Sequence, residues 1–374
     1  MLVMLLNLKI NQYIIDMNKT LVVFFEGHFY GGAEKMLLWL ATSLKKEGYN
    51  VRICQIYDNV DLSSQNIQID NLHLKFVPSY LVHNIRYFTC GAIKIIHYLH
   101  KNNVKYVLSF GSNSFYLLGV LKHLMKFKLL VSERGFPPAK RFYKLRKILF
   151  EKSDICVFQT SGAKQYFNVE LGEKAFIIPN PVEIPELKWQ DDGLSNVVIF
   201  VGRLDIGHKR VDLLINAFQK VLTSVPDAVL RIVGSGYDEV QVRKIVLERG
   251  LREKVEFIGF SKNVLKELSS ARVFVLCSDI EGMPNALLEA MAFGMPVVST
   301  DCSPGGAAFL LGNNENGILV PKGDANELAK AVAMLLMDAE KRNYYAQKAR
   351  EQAANHNPRM IISEWKKAID KFMG

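Results

Sequence analysis

Short apolar runs of strand length alternate with segments of helical periodicity along almost the whole chain of 374 residues. Regular alternation of this kind is the pattern of a parallel α/β architecture, in which each helix returns the chain to the start of the next strand. Strands are predicted at 21–25, 51–56, 74–77, 104–110, 128–131, 155–159 and 175–178, and again at 197–201, 228–233, 255–258, 273–277, 296–299 and 317–320. Helices are predicted at 33–47, 85–101, 114–125, 140–151, 161–167, 210–223, 238–249, 264–269, 284–293, 326–337, 342–354 and 358–372.

One break in this alternation divides the chain. After Pro179-Asn180-Pro181 comes a stretch rich in Pro, Glu and Asp, and the alternation restarts after Ser195. The chain also exceeds the size at which a single core stops growing. We therefore predict an α/β fold of two Rossmann-like, doubly wound domains, 18–181 and 196–356, joined by a linker at 182–195. A ligand site is expected in a crevice at the carboxyl ends of the strands.

Both ends of the chain lie outside these two domains in this prediction. Residues 1–17 are predicted to be an N-terminal extension, which could arise from an upstream start codon or touch a membrane. They lack the small-residue cleavage site of a signal peptide. Residues 357–374 are predicted to form a separate C-terminal helix with an amphipathic pattern.

The formal charge of +10 is unevenly distributed. Residues 1–181 carry 23 Lys and Arg against 12 Asp and Glu, whereas residues 182–374 carry 24 against 25. Many of the cations lie between 122 and 152, interleaved with aromatic and aliphatic residues: Lys126, Lys128, Lys140, Arg141, Lys144, Arg146 and Lys147. This pattern suits peripheral contact with an anionic membrane, although a solvated helix with one core face explains it as well. Nucleic acid is not expected, because no nucleic-acid module accompanies the charge.

Other classes of protein are excluded by composition. No stretch approaches about 18 uninterrupted apolar residues, so no transmembrane helix is predicted. The five cysteines are scattered without paired or metal-ligand spacing, which is typical of reduced, buried thiols in a cytoplasmic protein.

Two carboxylates stand eight positions apart at Glu281 and Glu289, the first in a loop and the second on a helix. Pro284 is expected to open that helix, because proline is tolerated at the first helical position. The amides of Asn285 and Ala286 then form a candidate anion site at the helix N-terminus. A nucleotide diphospho-sugar fits this spacing, with its diphosphate at the helix end and a carboxylate on either side. A surface turn followed by a helix with a solvated glutamate is the alternative.

Glycines and cations follow other strands. Gly31-Gly32 precede a helix and Gly234 follows a strand, so the backbone could approach a phosphate there, although a plain turn explains both. The three-glycine dinucleotide fingerprint is missing. After Gly202, Arg203 and Lys209 place two cations six residues apart, where they could neutralise a diphosphate or be ordinary surface charge. The histidines at 28, 123 and 208 are interpreted as structural rather than as bases.

Taken together, Gly31-Gly32, Gly202-Arg203-Leu204 with Lys209, and the 281–289 motif resemble the retaining glycosyltransferases of family 4, from about residue 18 to the C-terminus. The resemblance implies a GT-B fold, with two Rossmann-like domains facing a central cleft and a last helix that crosses back to the N-terminal domain. It implies that Arg203 and Lys209 hold the diphosphate, that Glu281 meets the donor sugar and that Glu289 meets the ribose. It implies no metal and no cofactor apart from the nucleotide sugar as substrate. The remaining residues expected to bind the donor are Phe260 and Ser261 near the base, and Met283, Pro284, Asn285 and Ala286.

The chain departs from the family pattern at Ser132-Glu133-Arg134, where many members place a histidine that faces the donor sugar. Glu133 or Arg134 could occupy that place on the sugar or acceptor side. This form, together with Asp301-Cys302-Ser303-Pro304, resembles members that build bacterial capsule, O-antigen or other surface glycans from UDP-sugars.

The sequence therefore predicts a metal-independent retaining glycosyltransferase at the inner face of the plasma membrane. It would move a hexose or N-acetylhexosamine from a UDP-sugar to a lipid-linked or membrane-proximal glycan. Another GT-B enzyme, such as a sugar-nucleotide epimerase, and a non-catalytic membrane-associated scaffold remain alternatives.

Overall fold

A computed structural model describes residues 20–26, 31–57, 67–75, 86–135, 140–167, 170–191, 193 and 195–374. These residues are divided between two compact units. The first contains the described residues up to Gln159, together with Lys164–Ile178 and Ile362–Gly374. The second contains Thr160–Ala163 and Pro179–Ile361.

The first unit is built on a seven-stranded parallel sheet with the order β3-β2-β1-β4-β5-β6-β7. The strands are β1 Leu21–Phe25, β2 Val51–Gln55, β3 Gln68–Asn71, β4 Tyr106–Phe110, β5 Lys128–Glu133, β6 Ile155–Phe158 and β7 Ala175–Ile177. The helices are α1 Gly32–Lys46, α2 Ala92–Lys101 after a short π-helix at Tyr87–Gly91, α3 Ser112–Leu121, α4 Lys140–Lys152 and α5 Ser161–Phe167.

The second unit is built on a six-stranded parallel sheet with the order β10-β9-β8-β11-β12-β13. Its strands are β8 Val197–Val201, β9 Val229–Val233, β10 Val255–Gly259, β11 Val273–Leu276, β12 Val297–Thr300 and β13 Ile318–Val320. Its helices are α6 Ile206–Lys209, α7 Val211–Ser224, α8 Glu239–Glu248, α9 Val264–Ser269, α10 Asn285–Phe293, α11 Gly306–Leu311, α12 Ala325–Met337 and α13 Ala339–Ala354. The last helix, α14 Pro358–Met373, begins in this unit and ends in the first.

The apolar side chains of β8 explain why that strand forms. Val198 and Phe200 enter one core cluster, and Val197 and Ile199 enter another. A parallel strand covered by helices on both faces has no solvent side, so its sequence is apolar throughout instead of alternating. This is why the prediction for 197–201 is confirmed residue for residue.

The C-terminal residues of α14 bond to several elements of the first unit. Lys366 Nζ lies 2.5 Å from Glu47 Oε2, Tyr106 Oη donates to the carbonyl of Met373 at 2.9 Å, and Lys371 Nζ lies 2.8 Å from Glu173 Oε2. These bonds fix the end of the helix against that unit.

Some predicted elements are wrong in position. Of the strand predicted at 74–77, residues 74 and 75 are not in a strand, and 76 and 77 lie outside the described residues. The strand found next to β2 is instead Gln68–Asn71, a partly exposed edge strand whose polar residues give no apolar signal. Leu74 is buried, and its amide bonds to Ile56 O at 3.0 Å beyond the end of the ladder. The short helices α6 and α11 were not predicted: α6 has only four residues, and α11 opens on the glycine pair Gly305-Gly306, which is typical of a turn.

Candidate functional site

The strand order of the second unit reverses between β8 and β11, which are hydrogen-bonded neighbours. One crossover from β8 leads towards β9 and β10, while β11 continues towards β12 on the other side. Loops that leave the carboxyl ends of such strands diverge, and the crevice between them is where open α/β sheets bind ligands. Arg203 follows β8 and Glu281 follows β11, so the sheet brings both predicted loops to this switch point.

The loop after β8 is shaped by Asp205, the N-cap of α6. Its carboxylate accepts a hydrogen bond from the His208 amide at 3.0 Å and also contacts the His208 ring, with Nδ1 3.0 Å from Oδ2. His208 is therefore tied to a cap, in agreement with its structural interpretation. Arg203 Nη2 lies 3.5 Å from Asp205 Oδ2, and half of its side chain is exposed. A guanidinium held at one edge and open at the other can present its fork to an anion.

Lys209 and Glu281 form a direct ion pair, in which Lys209 Nζ donates to Glu281 Oε1. Ser278 Oγ donates to the same carboxylate oxygen at 2.7 Å. Ser278 is fixed in turn by Thr300, whose hydroxyl donates to the Ser278 carbonyl at 2.6 Å. Both charged side chains are mostly but not completely buried, so the pair sits at a surface that a ligand can reach.

The helix that carries Glu289 starts one residue later than predicted. Pro284 has an extended backbone (φ −76°, ψ 104°) and is the N-cap rather than the first helical residue, so α10 begins at Asn285. Proline offers no side-chain oxygen to cap the helix, and none is bonded there. Glu289 lies on α10 in a half-buried position, between Leu288 and Ala290 of the core.

Asn180 fixes the first turn of α10 and was not predicted as a site residue. Its Nδ2 donates to Asn285 Oδ1 at 2.6 Å, and its amide lies 3.0 Å from the sulfur of Met283. Asn180 is buried and stands between two prolines, so its amide is the one backbone donor in that tripeptide. An asparagine between two prolines, just before the predicted linker, was the available signal. Ser278, the second residue beyond β11, gave none.

Gly234 is needed for the packing of two loops. Its φ is +134°, and a Cβ added there would lie 1.9 Å from the Gly202 carbonyl oxygen. The loops after β8 and β9 bond backbone to backbone at this point, from Gly202 N to Val233 O at 2.9 Å and from Leu204 N to Ser235 O at 3.1 Å. Close approach of backbones therefore explains this glycine, and contact with a phosphate stays a prediction.

Phe260 lies directly after β10, the edge strand of the same sheet. It follows Gly259, whose φ of +75° turns the chain at the end of β10, and 69% of Phe260 is exposed. Ser261 Oγ donates to Glu267 Oε1 at 3.2 Å. The loop is joined to that of β9 through the Gly234 amide, which donates to the Gly259 carbonyl at 2.7 Å.

The remaining predicted residues lie in the first unit. Gly31 is the N-cap of α1 in an extended conformation and Gly32 is its first residue, while 27–30, with the histidine at 28, fall outside the described residues. Glu133 is buried in an ion pair with Arg146 and accepts from the Gly135 amide at 3.0 Å. These bonds give its carboxylate a structural role.

Arg134 is held by aromatic rings. Its guanidinium lies 4.6 Å from the ring centroid of Phe110 and 5.4 Å from that of Trp365, and Nε donates to Ser132 Oγ at 2.8 Å. Burial lowers the pKa of Arg134, and the Glu133 charge opposes that shift. Aromatic faces attract cations, so this arrangement stabilises the first unit around α14.

Within the described residues, no group of three or more His, Cys, Asp or Glu side chains is placed to hold a metal ion. None of the described helices is long and apolar enough to cross a membrane.

Comparison with known proteins shows that part of the second unit matches a protein family. Residues 186–352 match the family described as glycosyl transferases group 1. The second unit carries a glycosyl transferases group 1 domain. The group 1 domain contains Arg203, Lys209, Glu281 and Glu289, so the whole switch-point site lies inside it.

Relatives of known name extend the match. The chain is 34% identical over 224 residues to an exopolysaccharide phosphotransferase of Streptomyces coelicolor, covering 59% of this chain and 24% of that protein. It is 25% identical over 349 residues, 91% of this chain and 95% of the relative, to an α-1,4-N-acetyl-D-galactosaminyltransferase of Campylobacter jejuni. Against three relatives at 30 to 34% identity, the chain spans between 24% and 58% of the relative's length.

Solved structures identify the fold around the group 1 domain. The HepE protein of Anabaena, in complex with UDP and glucose, superposes with a TM-score of 0.79 at 17% identity, over 94% of this chain and 99% of that one. The two Rossmann-like units are those of the GT-B glycosyltransferases, as the sequence predicts.

Proposed function

We propose that the protein is a retaining glycosyltransferase that transfers a hexose or N-acetylhexosamine from a UDP-sugar to a lipid-linked or membrane-proximal glycan in bacterial surface polysaccharide synthesis. The observation that carries this proposal is the Lys209–Glu281 pair at the switch point of the group 1 domain. At a ligand crevice, the cation of this pair suits the negative diphosphate of a sugar donor. The carboxylate suits the hydroxyl groups of the sugar.

In the proposed complex the diphosphate binds Arg203, Lys209 and the N-terminus of α10. Arg203 offers a half-exposed fork of donors, and Lys209 is reached from the surface. The positive end of the α10 dipole adds to this field. Because negative charge grows on the diphosphate as the sugar leaves, donors that are already in place stabilise the transition state more than the ground state.

Glu281 would then accept hydroxyls of the donor sugar, and Glu289 those of the ribose. Transfer with retention breaks the bond from the anomeric carbon to the diphosphate oxygen and forms the acceptor bond on the same face. The acceptor hydroxyl proton would pass to the leaving diphosphate. No protein nucleophile and no metal enters this scheme.

The donor and acceptor classes are supported by the names of similar proteins. HepE was solved with UDP and glucose. The Campylobacter galactosaminyltransferase is named for a diphospho-undecaprenol-linked acceptor. An acceptor of that kind would bring the enzyme to a membrane, and the surface of α3, α4 and the turn between 122 and 128 would meet it. Exposed Val120, Leu124, Leu145 and Ile148 lie there among lysines.

Thermal-shift screening and a transfer assay test the proposal together. UDP should raise the melting temperature, whereas NAD should not. Incubation with a panel of UDP-sugars and a bacterial lipid extract should yield a glycosylated lipid in the wild type but not in Glu281→Ala, and NMR of the product should show the donor's anomeric configuration. Inversion of that configuration, or interconversion of UDP-sugars without transfer, would replace the proposal with another GT-B reaction. Full activity of Glu281→Ala would overturn it.

A further inference from the structure

Arg210 stands at the junction of α6 and α7, directly after Lys209. Its backbone has φ 47° and ψ 45°, in the left-handed region that glycine adopts readily and other residues avoid. Arginine is strained in this conformation, whereas glycine would be relaxed, so the contacts of the side chain offset a backbone cost. The proposed chemistry leaves this residue without a role.

The Arg210 guanidinium bridges two carboxylates. Nε and Nη2 donate to the two oxygens of Asp212, at 3.1 and 3.2 Å, in a bidentate pair. Nη1 donates to Asp279 Oδ2 at 3.0 Å. Asp212 lies in the first turn of α7 and Asp279 in the loop after β11, so one side chain joins the two sides of the switch point. The bonds to Asp212, against a smaller opposing effect of burial and with the bond to Asp279 in support, raise the pKa of Arg210 above its ordinary value, and the charge is permanent.

Backbone bonds tie the same loops together around this bridge. The Asp279 amide donates to the His208 carbonyl at 2.8 Å, and the Asp279 carbonyl accepts from the Ser303 amide at 3.1 Å. The Ser303 carbonyl accepts in turn from the Glu281 amide at 2.9 Å. Asp279 is thus the point at which the loops carrying Lys209, Glu281 and Ser303 meet.

Two parallel ion pairs therefore join the β8 loop to the β11 loop: Lys209–Glu281 and Arg210–Asp279. The first has to open if Lys209 turns to a phosphate and Glu281 to a sugar. The second involves no residue of the proposed donor site and can stay closed throughout.

We infer that Arg210 is a positioning residue, whose pair with Asp279 keeps the two loops in register while the donor separates Lys209 from Glu281. This inference rests on the proposed function, because the separation of Lys209 from Glu281 is a consequence of donor binding. Without the Arg210–Asp279 pair, UDP would still bind to Arg203 and Lys209. The donor sugar would no longer be held in a fixed position relative to Glu281.

Arg210→Gly tests this inference, because glycine suits the left-handed backbone while the whole side chain, and with it the guanidinium, is removed. Asp279→Asn is its matched partner, which keeps the side-chain shape and loses the charge. Each variant should lower kcat about tenfold or more while the Kd for UDP changes less than about threefold. The double variant should be no worse than Arg210→Gly alone, since that variant has already lost the contact with Asp279. Arg210→Lys should recover part of the lost kcat.

A merely structural role predicts a different set of results: a lower melting temperature, a smaller active fraction, and unchanged kcat per active enzyme. Hydrogen exchange separates the two roles, because amides 278–281 of Arg210→Gly should exchange faster than those of the wild type when UDP is bound. Lys244→Ala, which removes an exposed helical pair with Glu248, should change none of these values.

Wild-type kcat and wild-type exchange in Arg210→Gly would overturn the inference. If the wild type neither binds UDP nor transfers sugar, it is the proposed function that fails. In that case exchange of 278–281 without nucleotide still decides whether Arg210 holds the loops, and equal rates in variant and wild type would reject it.

Discussion

Lys209 donates a hydrogen bond to the carboxylate of Glu281 across two loops that are 72 residues apart in sequence. Because the two side chains meet at the carboxyl ends of β8 and β11, each charge neutralises the other. A donor with an anionic and a polar end can replace both halves of this pair at once.

Removal of either half of the pair should strongly reduce the rate of transfer without unfolding the protein. Loss of one preorganised electrostatic contact lowers kcat about 10²- to 10³-fold. The kcat of Glu281→Gln and that of Lys209→Ala should each be lower by that factor in steady-state assays. The double variant should lose less than the product of the two. Lys330→Ala, which removes an exposed pair with Glu327, serves as the control. A strictly additive double variant would mean that the two residues act separately.

Glu289 should act on nucleotide affinity rather than on the rate of transfer. A charged hydrogen bond to a ribose is worth about 1.5 to 3 kcal/mol, so Glu289→Gln should weaken UDP binding about 10- to 100-fold in calorimetry with kcat nearly unchanged. Glu340→Gln on α13 is a matched control at an exposed position. A fall in kcat at unchanged UDP affinity would instead place Glu289 near the reacting bond.

The basic surface of the first unit should bind anionic vesicles in a salt-dependent way. Each lysine near such a surface contributes about 1 kcal/mol, so replacing Lys126, Lys144 and Lys147 with alanine should weaken binding about 100-fold in co-sedimentation. Higher salt should release the wild type because exposed charges are screened. The triple alanine variant at Lys244, Lys330 and Lys348 of the second unit should bind like the wild type. Binding to neutral vesicles alone would contradict the prediction.

His356 should make stability depend on pH. Burial lowers the pKa of His356 below its ordinary value of 6.5, with a smaller opposing effect from its bond to the Asn180 carbonyl at 3.2 Å. Well above pH 6.5 the ring is neutral in both folded and unfolded states, so His356 does not lower the free energy of unfolding there. Below 6.5 the unfolded chain takes up a proton first, and stability falls by at most about 1.4 kcal/mol per pH unit. In urea unfolding, His356→Asn should remove this part of the slope between pH 7.5 and 5.5, and an unchanged slope would contradict the assignment.

Gly234→Ala should destabilise the second unit strongly. The new Cβ would overlap the Gly202 carbonyl oxygen, and the backbone φ of +134° disfavours any side chain, so a loss of about 3 kcal/mol or more is expected. Gly250→Ala separates the two causes, because Gly250 also has a positive φ of +67° but no atom within 4 Å of the added Cβ. It should cost only about 1 to 2 kcal/mol. Equal melting temperatures for the two variants would show that the loop relaxes.

Elements with an apolar pattern could be predicted from sequence, and the polar edge strand, which has none, could not. β8 and α9 were predicted with their observed bounds, because the apolar period of each is a local property. Gln68–Asn71 was missed because an edge strand is held by backbone bonds to β2, for which polar side chains serve equally well. The start of α10 was misjudged by one residue because Pro284 suits both an N-cap and a first helical position.

The sequence by itself determined the class of fold and the types of group available to a ligand: two cations after β8, and a glutamate on either side of a helix start after β11. Which of these groups meet was decided by the tertiary structure. Lys209 and Glu281 touch because the strand order places β8 beside β11, and Glu133 is enclosed because Arg146 packs against it. The physical reason is the sequence separation of the interacting residues. A hydrophobic period involves residues that are close in sequence, whereas an ion pair between residues 72 positions apart forms only once the sheet has placed their strands side by side.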